Sequence, residues 1–227
     1  MKKKILFIFF TIWSLQTLSA QKEEITVNLS TFTKLKGFDG LSINLIPSTE
    51  NKAVISGDYT DQVVFVNKEG LLKIRMELQK IFSGYKTFID LYYAQNLLVI
   101  DVNEDARIVS ETTIVQDVLE LKAQEGGELE IIAEVEQLLI KTVTGGVIET
   151  SGTSDLQDVV INTGGVYEGK ELITKFSTIN VNAGSRAEIY ATDYVKASVK
   201  AGGEVLVYGN PAKLEKKTVF GGKITKM

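Results

Sequence analysis

Six pairs of small residues recur at a fixed interval in the second half of the chain. From the first member of one pair to the first member of the next, every step is 19 residues. The pairs are Gly126-Gly127, Gly145-Gly146, Gly164-Gly165, Ala183-Gly184, Gly202-Gly203 and Gly221-Gly222. A period of about 20 residues is typical of solenoids, in which each repeat stacks on the one before it. Glycine pairs at this period predict sharp corners, where a positive φ would strain a residue that carries a Cβ.

Apolar and polar residues alternate between the corners, and the same residue types recur from coil to coil. An apolar side chain follows two residues after each corner, as at Leu129, Ile148 and Tyr167. Alternation fits strands that bury one face, and recurrence fits parallel strands stacked about 4.8 Å apart. The sequence therefore predicts an all-β parallel solenoid with coils of about 19 residues from about residue 102 onwards. At Ala183-Gly184 the register continues if Ser185 is a one-residue bulge.

The part of the chain before the coils carries a less regular β pattern. The predicted strands are 25–29, 41–45, 53–57, 63–66, 71–76 and 97–102. Residues 67–70 predict a hairpin turn, and residues 77–88 interrupt the pattern and predict a loop. Residues 128–140 favour helix by residue type, but their place inside the repeat predicts a strand.

The composition excludes several classes of function. The chain has 227 residues with no Cys and no His, which excludes disulfides, thiolate nucleophiles, Cys/His zinc sites and histidine acid–base catalysis. Its formal net charge is -4, and Lys and Arg are scattered along the sequence except at residues 2–4. This distribution predicts no nucleic-acid partner.

Residues 1–20 have the features of a secretory signal peptide. Three lysines at residues 2–4 precede an apolar core over residues 5–13, and the segment ends in the small residue Ala20. The apolar run is short for a membrane span, which needs about 20 residues. We therefore predict cleavage after about Ala20 and one domain over residues 21–227 with no membrane span. The location is then extracytoplasmic, either periplasmic or secreted.

The glycine corners and the end of the chain resemble a known family. The resemblance is carried by those corners, by the step Tyr208-Gly209-Asn210-Pro211, by the last pair Gly221-Gly222 and by an opening stretch over residues 32–45. These features look like the head GIN domain, a family of adhesin-like proteins from Bacteroidetes-type bacteria, over about residues 30–224. The resemblance implies a single-stranded right-handed parallel β-helix and an extracytoplasmic location. It brings no catalytic residues, and Ala183-Gly184 departs from the paired glycines.

Four glutamates occupy equivalent positions on successive coils. They are Glu130, Glu149, Glu168 and, through the bulge, Glu188. Carboxylates on strands about 5 Å apart repel one another by about 1 kcal/mol per pair in water. One interpretation is a bound cation, for which Ca²⁺ is a candidate because it takes several oxygen ligands. The other is a solvated face on which Lys141 and Lys170 relieve the repulsion.

Two tyrosines form a second candidate site. Tyr190 and Tyr208 each fall five positions after a corner, when the bulge is allowed for. A tyrosine column can stack on sugar rings because each side chain has an apolar face and a polar tip. The alternative is that these rings pack within the stack.

These features favour an exported adhesin-like module that binds a glycan or cell-surface ligand along an extended face. The first alternative is an envelope scaffold that forms homo-oligomers through the edges at the ends of the stack. The second is a carbohydrate-active enzyme, in which Asp155 with Asp158, or Glu149 with Glu168, would flank the scissile bond. Only analogy of fold supports the enzyme, so we predict no catalytic residue and no obligatory cofactor.

Overall fold

The computed structural model describes residues 24–227, so the predicted signal peptide and its cleavage site lie outside the described residues. Three 3₁₀ turns, Thr60–Gln62, Leu78–Lys80 and Gly84–Lys86, are the only helical elements in this range, and no helix there could cross a membrane. The strands are β1 (Ile25–Asn28), β2 (Lys34–Gly37), β3 (Ser42–Pro47), β4 (Lys52–Gly57), β5 (Val63–Lys68), β6 (Leu71–Met76), β7 (Thr87–Tyr93), β8 (Val99–Val102), β9 (Arg107–Ala123), β10 (Glu128–Thr142), β11 (Val147–Ile161), β12 (Val166–Val181), β13 (Arg186–Lys200), β14 (Glu204–Tyr208), β15 (Lys213–Val219) and β16 (Lys223–Lys226).

The second half of the chain is a parallel β-solenoid of about seven coils with a spacing near 19 residues, which confirms the predicted fold class. Each long strand from β9 to β13 pairs in parallel with the next one along the chain. The apolar columns stack as predicted, because Leu129 pairs with Ile148 and Ile148 pairs with Tyr167. Residues 128–140 lie in β10, so the strand prediction for this segment is also confirmed.

Each coil contributes two segments to one core. In β10 the buried positions run through Leu129 and Val135 at odd numbers and then through Leu138 and Thr142 at even numbers. This change of phase marks a second corner, because the side chains that point inward on a strand are two residues apart. The segments stack into two ribbons. The first ribbon contains β1, β4, β7, β3, the first parts of β9–β13, β14 and β16, and the second contains β5, β6, β2, β8, the last parts of β9–β13 and β15.

The N-terminal strands are stacked out of sequence order. β2 lies between β6 and β8, and β3 lies between β7 and β9. Along the stack, the coil formed by β2 and β3 therefore lies between the coil formed by β6 and β7 and the coil formed by β8 and β9. The β5–β6 hairpin and the antiparallel strands β1 and β4 cover the outer end. The hairpin agrees with the sequence. The loop predicted over residues 77–88 is correct only to residue 86, because Thr87 and Phe88 belong to β7, and neither β2 nor β7 was predicted. The coils therefore begin well before residue 102.

Each glycine corner is a four-residue turn with two central residues at positive φ. At one corner these are Thr144 (φ 50°) and Gly145 (φ 74°), and the N–H of Gly146 donates to the carbonyl of Val143. Gly146 itself has no positive φ. It is required for space, because a Cβ there would collide with the backbone carbonyl of Ala123 on the preceding coil. The first glycine of a pair thus serves conformation, and the second permits close packing of coils.

The fourth corner differs from the prediction. Gly184 has the positive φ of a first glycine (69°), and Ser185 takes the place of the second, so the pair is Gly184-Ser185 rather than Ala183-Gly184. Ser185 is therefore not a bulge. The additional residue lies in β12, where the register with β11 changes between Glu168 and Glu171. The steps on either side of this corner are consequently 20 and 18 residues, because the bulge in β12 lengthens one coil.

A polar cluster lies inside the core of β11, β12 and β13. Its members, each at most 1% exposed, are Thr150, Gln157, Tyr167, Thr174 and Ser177. Gln157 Nε2 donates to Thr174 Oγ1 (3.0 Å) and to Ser177 Oγ (2.8 Å), and the hydroxyls of Tyr167 and Thr150 are 2.9 Å apart. Burial raises the pKa of Tyr167 far above its ordinary value. Because these groups satisfy one another, the cluster ties neighbouring coils to one register.

Candidate functional site

The predicted glutamate column is present on the outer surface of the first ribbon. Glu130 pairs in register with Glu149, Glu149 with Glu168, and Glu168 with Glu188. Their side chains alternate with buried residues, so they point to solvent. We call the outer surface of the first ribbon from β7 to β13 the acidic face. Its charged side chains include Asp90, Arg107, Glu111, Glu128, Glu130, Glu134, Glu149, Glu168, Lys170, Glu171, Arg186 and Glu188.

The ends of the column are neutralised by arginines rather than by the lysines proposed from sequence. Arg107 Nη2 contacts Glu130, and Arg186 Nη2 lies 2.5 Å from Glu188 Oε1. Lys141 lies on the second ribbon, and Lys170 forms no ion pair within residues 24–227. Glu149 and Glu168 likewise form no ion pair within the described chain. The uncompensated negative charge of the column is therefore concentrated on its two middle coils.

The column does not form a metal cage by itself. Within residues 24–227 no group of three or more Asp, Glu, His or Cys side chains is placed to hold a metal ion. Glu149 and Glu168 lie beside each other on an open face, and Ca²⁺ usually takes six or more oxygen ligands. Calcium binding at the column stays a prediction.

An open pocket of about 320 Å³ lies at the N-terminal end of the acidic face. It is lined by Ser42, Ile43, Asn44, Phe88, Ile89, Asp90, Arg107, Val109 and Glu111, and we call it the Phe88 pocket. The Phe88 side chain is 51% exposed, although the residue lies within strand β7. Asn44 Nδ2 donates to Asp90 Oδ1 at 3.1 Å across the parallel β3–β7 pair. An aromatic ring and a fixed amide–carboxylate pair therefore share one concave surface.

Arg107 joins the pocket to the glutamate column. It is the first residue of β9, it lines the Phe88 pocket, and its guanidinium reaches Glu130 and lies 3.9 Å from Glu128. The surface thus continues from an aromatic pocket along stacked carboxylates without leaving the first ribbon. An aromatic face flanked by planar hydrogen-bonding groups suits a ligand with apolar C–H faces and many hydroxyls.

Tyr190 and Tyr208 are register neighbours, as predicted, and Tyr190 is the next outward residue after Glu188 along β13. Tyr190 of β13 pairs with Tyr208 of β14, and both side chains are half-buried. The Tyr190 ring covers Gly209, where a Cβ would approach Tyr190 Cε1 to 2.7 Å. This contact fits the packing alternative for Tyr190. Ligand binding by either tyrosine stays a prediction.

The Phe88 pocket was not found from the sequence. Phe88 and Asp90 lie in β7, a strand that directly follows the irregular segment 77–86, and Asn44 lies in β3. The two strands become neighbours only because the β6–β7 coil is placed outside the β2–β3 coil. The alternation of Phe88, Asp90 and Tyr92 with buried residues was the available signal for a strand. No local sequence pattern indicated that β7 would pair with β3.

Comparison with known proteins places the chain among adhesin-like proteins. A family described as "Putative auto-transporter adhesin, head GIN domain" matches residues 31–211. No curated protein sequence matches the chain. A solved "putative adhesin" from Bacteroides fragilis is 18% identical, with a TM-score of 0.81 over 92% of this chain and 98% of that one. Another from Parabacteroides distasonis is 16% identical, with a TM-score of 0.75 over the same shares.

A further solved structure from Parabacteroides distasonis, named a "putative lipid binding protein", is 16% identical, with a TM-score of 0.68 over 92% of this chain and 98% of that one. At these identities the structures establish a shared fold and no more. The family match is of a different kind, because it spans most of the sequence and includes every strand from β2 to β14 and all the glycine corners except the last. The chain belongs to the head GIN domain family, which its glycine corners and terminal step predicted.

Proposed function

We propose that this chain is an exported, adhesin-like module that binds a neutral glycan through the acidic face, starting at the Phe88 pocket. Family membership supports an adhesin-like role. The observation that carries the ligand class is the exposed Phe88 ring beside the Asn44–Asp90 hydrogen bond. A sugar ring can stack on the aromatic face while its hydroxyls bond to the free oxygens of Asn44 and Asp90. Arg107 then orients the neighbouring sugar unit.

A neutral ligand fits the electrostatics better than an anionic one. Asp90 and Glu111 line the pocket with Arg107, and the glutamate column continues from it. Arg107 is already bonded to Glu130, so its positive charge is largely offset. An anionic sugar would therefore meet excess negative charge on the acidic face.

Binding of defined oligosaccharides tests this proposal. Wild-type protein and a Phe88→Ala variant are compared by calorimetry on oligosaccharides of cellulose, xylan, starch and chitin. Phe176→Ala is the matched control, because Phe176 is also a strand phenylalanine and is 41% exposed, but on another part of the coil. We expect Phe88→Ala to weaken the tightest interaction roughly tenfold, the loss of about 1.4 kcal/mol of stacking, and the control to leave it unchanged. Equal losses in both variants, or no binding by wild type, would contradict the proposal.

Export is supported by the lysine-rich start and apolar core of residues 1–20. We propose cleavage after about Ala20 and an extracytoplasmic location, periplasmic or secreted. The intact mass of the protein recovered from an expressing bacterium measures this directly. A mass that retains residues 1–20 would contradict cleavage.

The two alternatives receive less support. Self-association through the C-terminal edge is opposed by lysines on the last strands, such as Lys216, Lys217 and Lys223, because charged edges resist pairing. For catalysis, Asp155 is held by Lys175 at 2.7 Å, whereas Asp158 accepts from Gln137 on the second ribbon. Family membership also suggests binding rather than catalysis.

The calcium hypothesis has its own test. If Ca²⁺ bridges Glu149 and Glu168, millimolar Ca²⁺ should raise the melting temperature of wild type, because a ligand that binds only the native state stabilises it. A Glu149→Gln/Glu168→Gln variant should lose that shift, and Mg²⁺ should not reproduce it. The absence of a shift in the melting temperature of wild type would contradict calcium binding at the column.

A further inference from the structure

The outer surface of the second ribbon carries mainly positive charge. We call this surface, from β5 to β15, the basic face. Its outward cations are Lys34, Lys36, Lys68, Lys73, Arg75, Lys122, Lys141, Lys196, Lys200, Lys213 and Lys217. Its outward acids are Glu69, Asp101, Glu120, Asp158 and Glu215. The lysines are scattered in sequence, and the fold gathers them because each coil contributes its second segment to one sheet.

Three of the acids on this face are paired with individual lysines, whereas Asp158 accepts from Gln137, and Glu69 forms no ion pair within the described residues. Asp101 Oδ2 lies 3.1 Å from Lys36 Nζ, and Glu120 Oε1 lies 2.8 Å from Lys122 Nζ. At the C-terminal end, Lys213 is 2.6 Å from Glu215. The remaining lysines therefore have few acidic neighbours to offset them.

The excess charge is most concentrated where β5, β6 and β2 meet. An open groove of about 350 Å³ is lined there by Lys34, Val66, Lys68, Glu69, Leu71 and Lys73. Lys68 and Lys34 flank Leu71 from the two neighbouring strands, and Lys73 lies between Val66 and Lys36. Within residues 24–227, Lys34, Lys68 and Lys73 form no ion pair. Like charges on adjacent strands are unfavourable, so this groove favours an external anion.

A second open groove of about 350 Å³ lies at the opposite end of the same face. It is lined by Asn180, Lys196, Ala197, Ser198, Glu215, Lys216 and Lys217. Between the two grooves Lys141 is an unpaired outward cation, whereas Lys122 is paired with Glu120 and Asp158 faces outward on the next coil. The excess positive charge therefore lies in two grooves at the ends of the face, and a long anionic chain can reach both, whereas a single small anion fills only one.

We propose that the basic face binds an acidic polysaccharide laid across the coils, with carboxylates held by Lys34, Lys68 and Lys73. The apolar floor of the groove, formed by Val66 and Leu71, fits the C–H face of a sugar ring between these lysines. A second copy of this chain fits less well, because Arg107 and Arg186 neutralise the outer glutamates of its acidic face and leave Glu149 and Glu168 as the unpaired members of the column. A polymer of uronic acids offers a carboxylate on every sugar unit to the three groove lysines. This site is separate from the Phe88 pocket, so each can exist without the other.

The test uses a charged polymer and its uncharged counterpart. Full mature protein is titrated onto immobilised polygalacturonate and onto highly methyl-esterified polygalacturonate, which has the same backbone without most of the charge. A variant with Lys34→Gln, Lys68→Gln and Lys73→Gln removes the N-terminal groove. The control, Lys86→Gln, Lys170→Gln and Lys226→Gln, makes the same change in net charge at positions outside both grooves.

We expect wild type to bind the acidic polymer, to bind the esterified polymer at least tenfold more weakly, and to release both as salt rises, because exposed charges are screened beyond about 10 Å at 0.1 M salt. The groove variant should lose about tenfold in affinity, and the control less than threefold. Equal losses of affinity in the two variants would show that only net charge matters, and would contradict a binding site at the N-terminal groove. Equal binding of the esterified polymer would overturn the role of the carboxylates.

Two further results would assign the face differently. If wild type forms concentration-dependent oligomers at low salt that the groove variant cannot form, the occupant is a second copy. If random-sequence duplex DNA binds as tightly as polygalacturonate, the face is a general polyanion surface and the polysaccharide assignment fails. Oligosaccharide binding at the Phe88 pocket should be unchanged in the groove variant, which separates this inference from the proposed function.

Discussion

The regular coils and the N-terminal coils use the same turn but stabilise it differently. In the regular half the turn depends on a glycine pair, as at Gly145-Gly146, whose backbone fits against the preceding coil. At the N-terminal turn Asp39-Gly40 the buried Asp39 carboxylate instead accepts from the N–H of Met76 at 2.9 Å and of Phe82 at 3.4 Å. A turn held by backbone packing can recur on every coil, whereas a turn held by side-chain hydrogen bonds can anchor an irregular loop to the coil. The Phe88 pocket lies in the irregular region, beside the first regular coils.

The largest expected effect comes from the second glycine of a regular corner. Gly146→Ala would place a Cβ against the backbone carbonyl of Ala123, which cannot move without separating two coils. We expect a loss of about 3 kcal/mol in the free energy of unfolding, measured by urea titration. Gly145→Ala is the matched control, because its φ of 74° strains an alanine but nothing lies within 4 Å of its Cβ. It should cost about 1 kcal/mol. Equal losses would show that the two glycines are equivalent.

The corresponding change in the N-terminal region is Asp39→Ala. It removes the acceptor for two backbone N–H groups, one of them on the fully buried Met76, and should cost about 2 kcal/mol. Hydrogen exchange should accelerate in residues 76–86 while β10–β13 keep their protection. Uniform acceleration along the chain would mean that the two regions are not held by separate interactions.

Within the regular coils, the removal of one buried hydroxyl should increase stability. Thr142 Oγ1 is buried and has no hydrogen-bond partner within the described structure. Thr142→Val keeps the shape and should raise stability by about 1 kcal/mol. Thr150→Val is the control, because that hydroxyl lies 2.9 Å from the Tyr167 hydroxyl, and its loss should lower stability by about 1 kcal/mol. The same sign in both variants would contradict this explanation.

The smallest effect concerns pH in the N-terminal region. Burial, followed by the nearby Asp39, raises the pKa of Glu104 above its ordinary value. An acid with a raised native pKa binds protons more readily in the folded state, so its unfavourable contribution is present near neutral pH and fades as pH falls through the native pKa. Glu104→Gln should therefore raise the melting temperature slightly at pH 7 and have less effect near pH 4. An advantage that grows in acid would contradict the assignment.

The sequence predicted the repeating elements because each depends on local pattern. The 19-residue steps, the stacked glutamates and the Tyr190–Tyr208 pairing all follow from counting along one chain, since neighbouring coils are also neighbours in sequence. Ser185 was misassigned because the bulge in β12 and the shortened next coil cancel over two repeats. Only the pairing of β11 with β12 reveals which of the two carries the additional residue.

The missed features depend on contacts between distant segments. Asn44 and Asp90 are 46 residues apart, and they meet because the β6–β7 coil is added outside the β2–β3 coil. The basic face was not predicted from the sequence for a related reason. Lys34 and Lys73 follow no common period, and they share a surface only through the β2–β6 pairing. Periodicity therefore predicts what repeats, and gives little information about a binding surface assembled where the repeat begins.

We propose that a neutral glycan binds at the N-terminal end of the acidic face. Backbone amide chemical shifts, recorded while the tightest-binding neutral oligosaccharide is titrated into the protein, test it most directly. We expect the largest shifts in β3, in β7 and in the first part of β9, around Asn44, Phe88 and Arg107. Shifts confined to the Tyr190–Tyr208 region or to the basic face would contradict it.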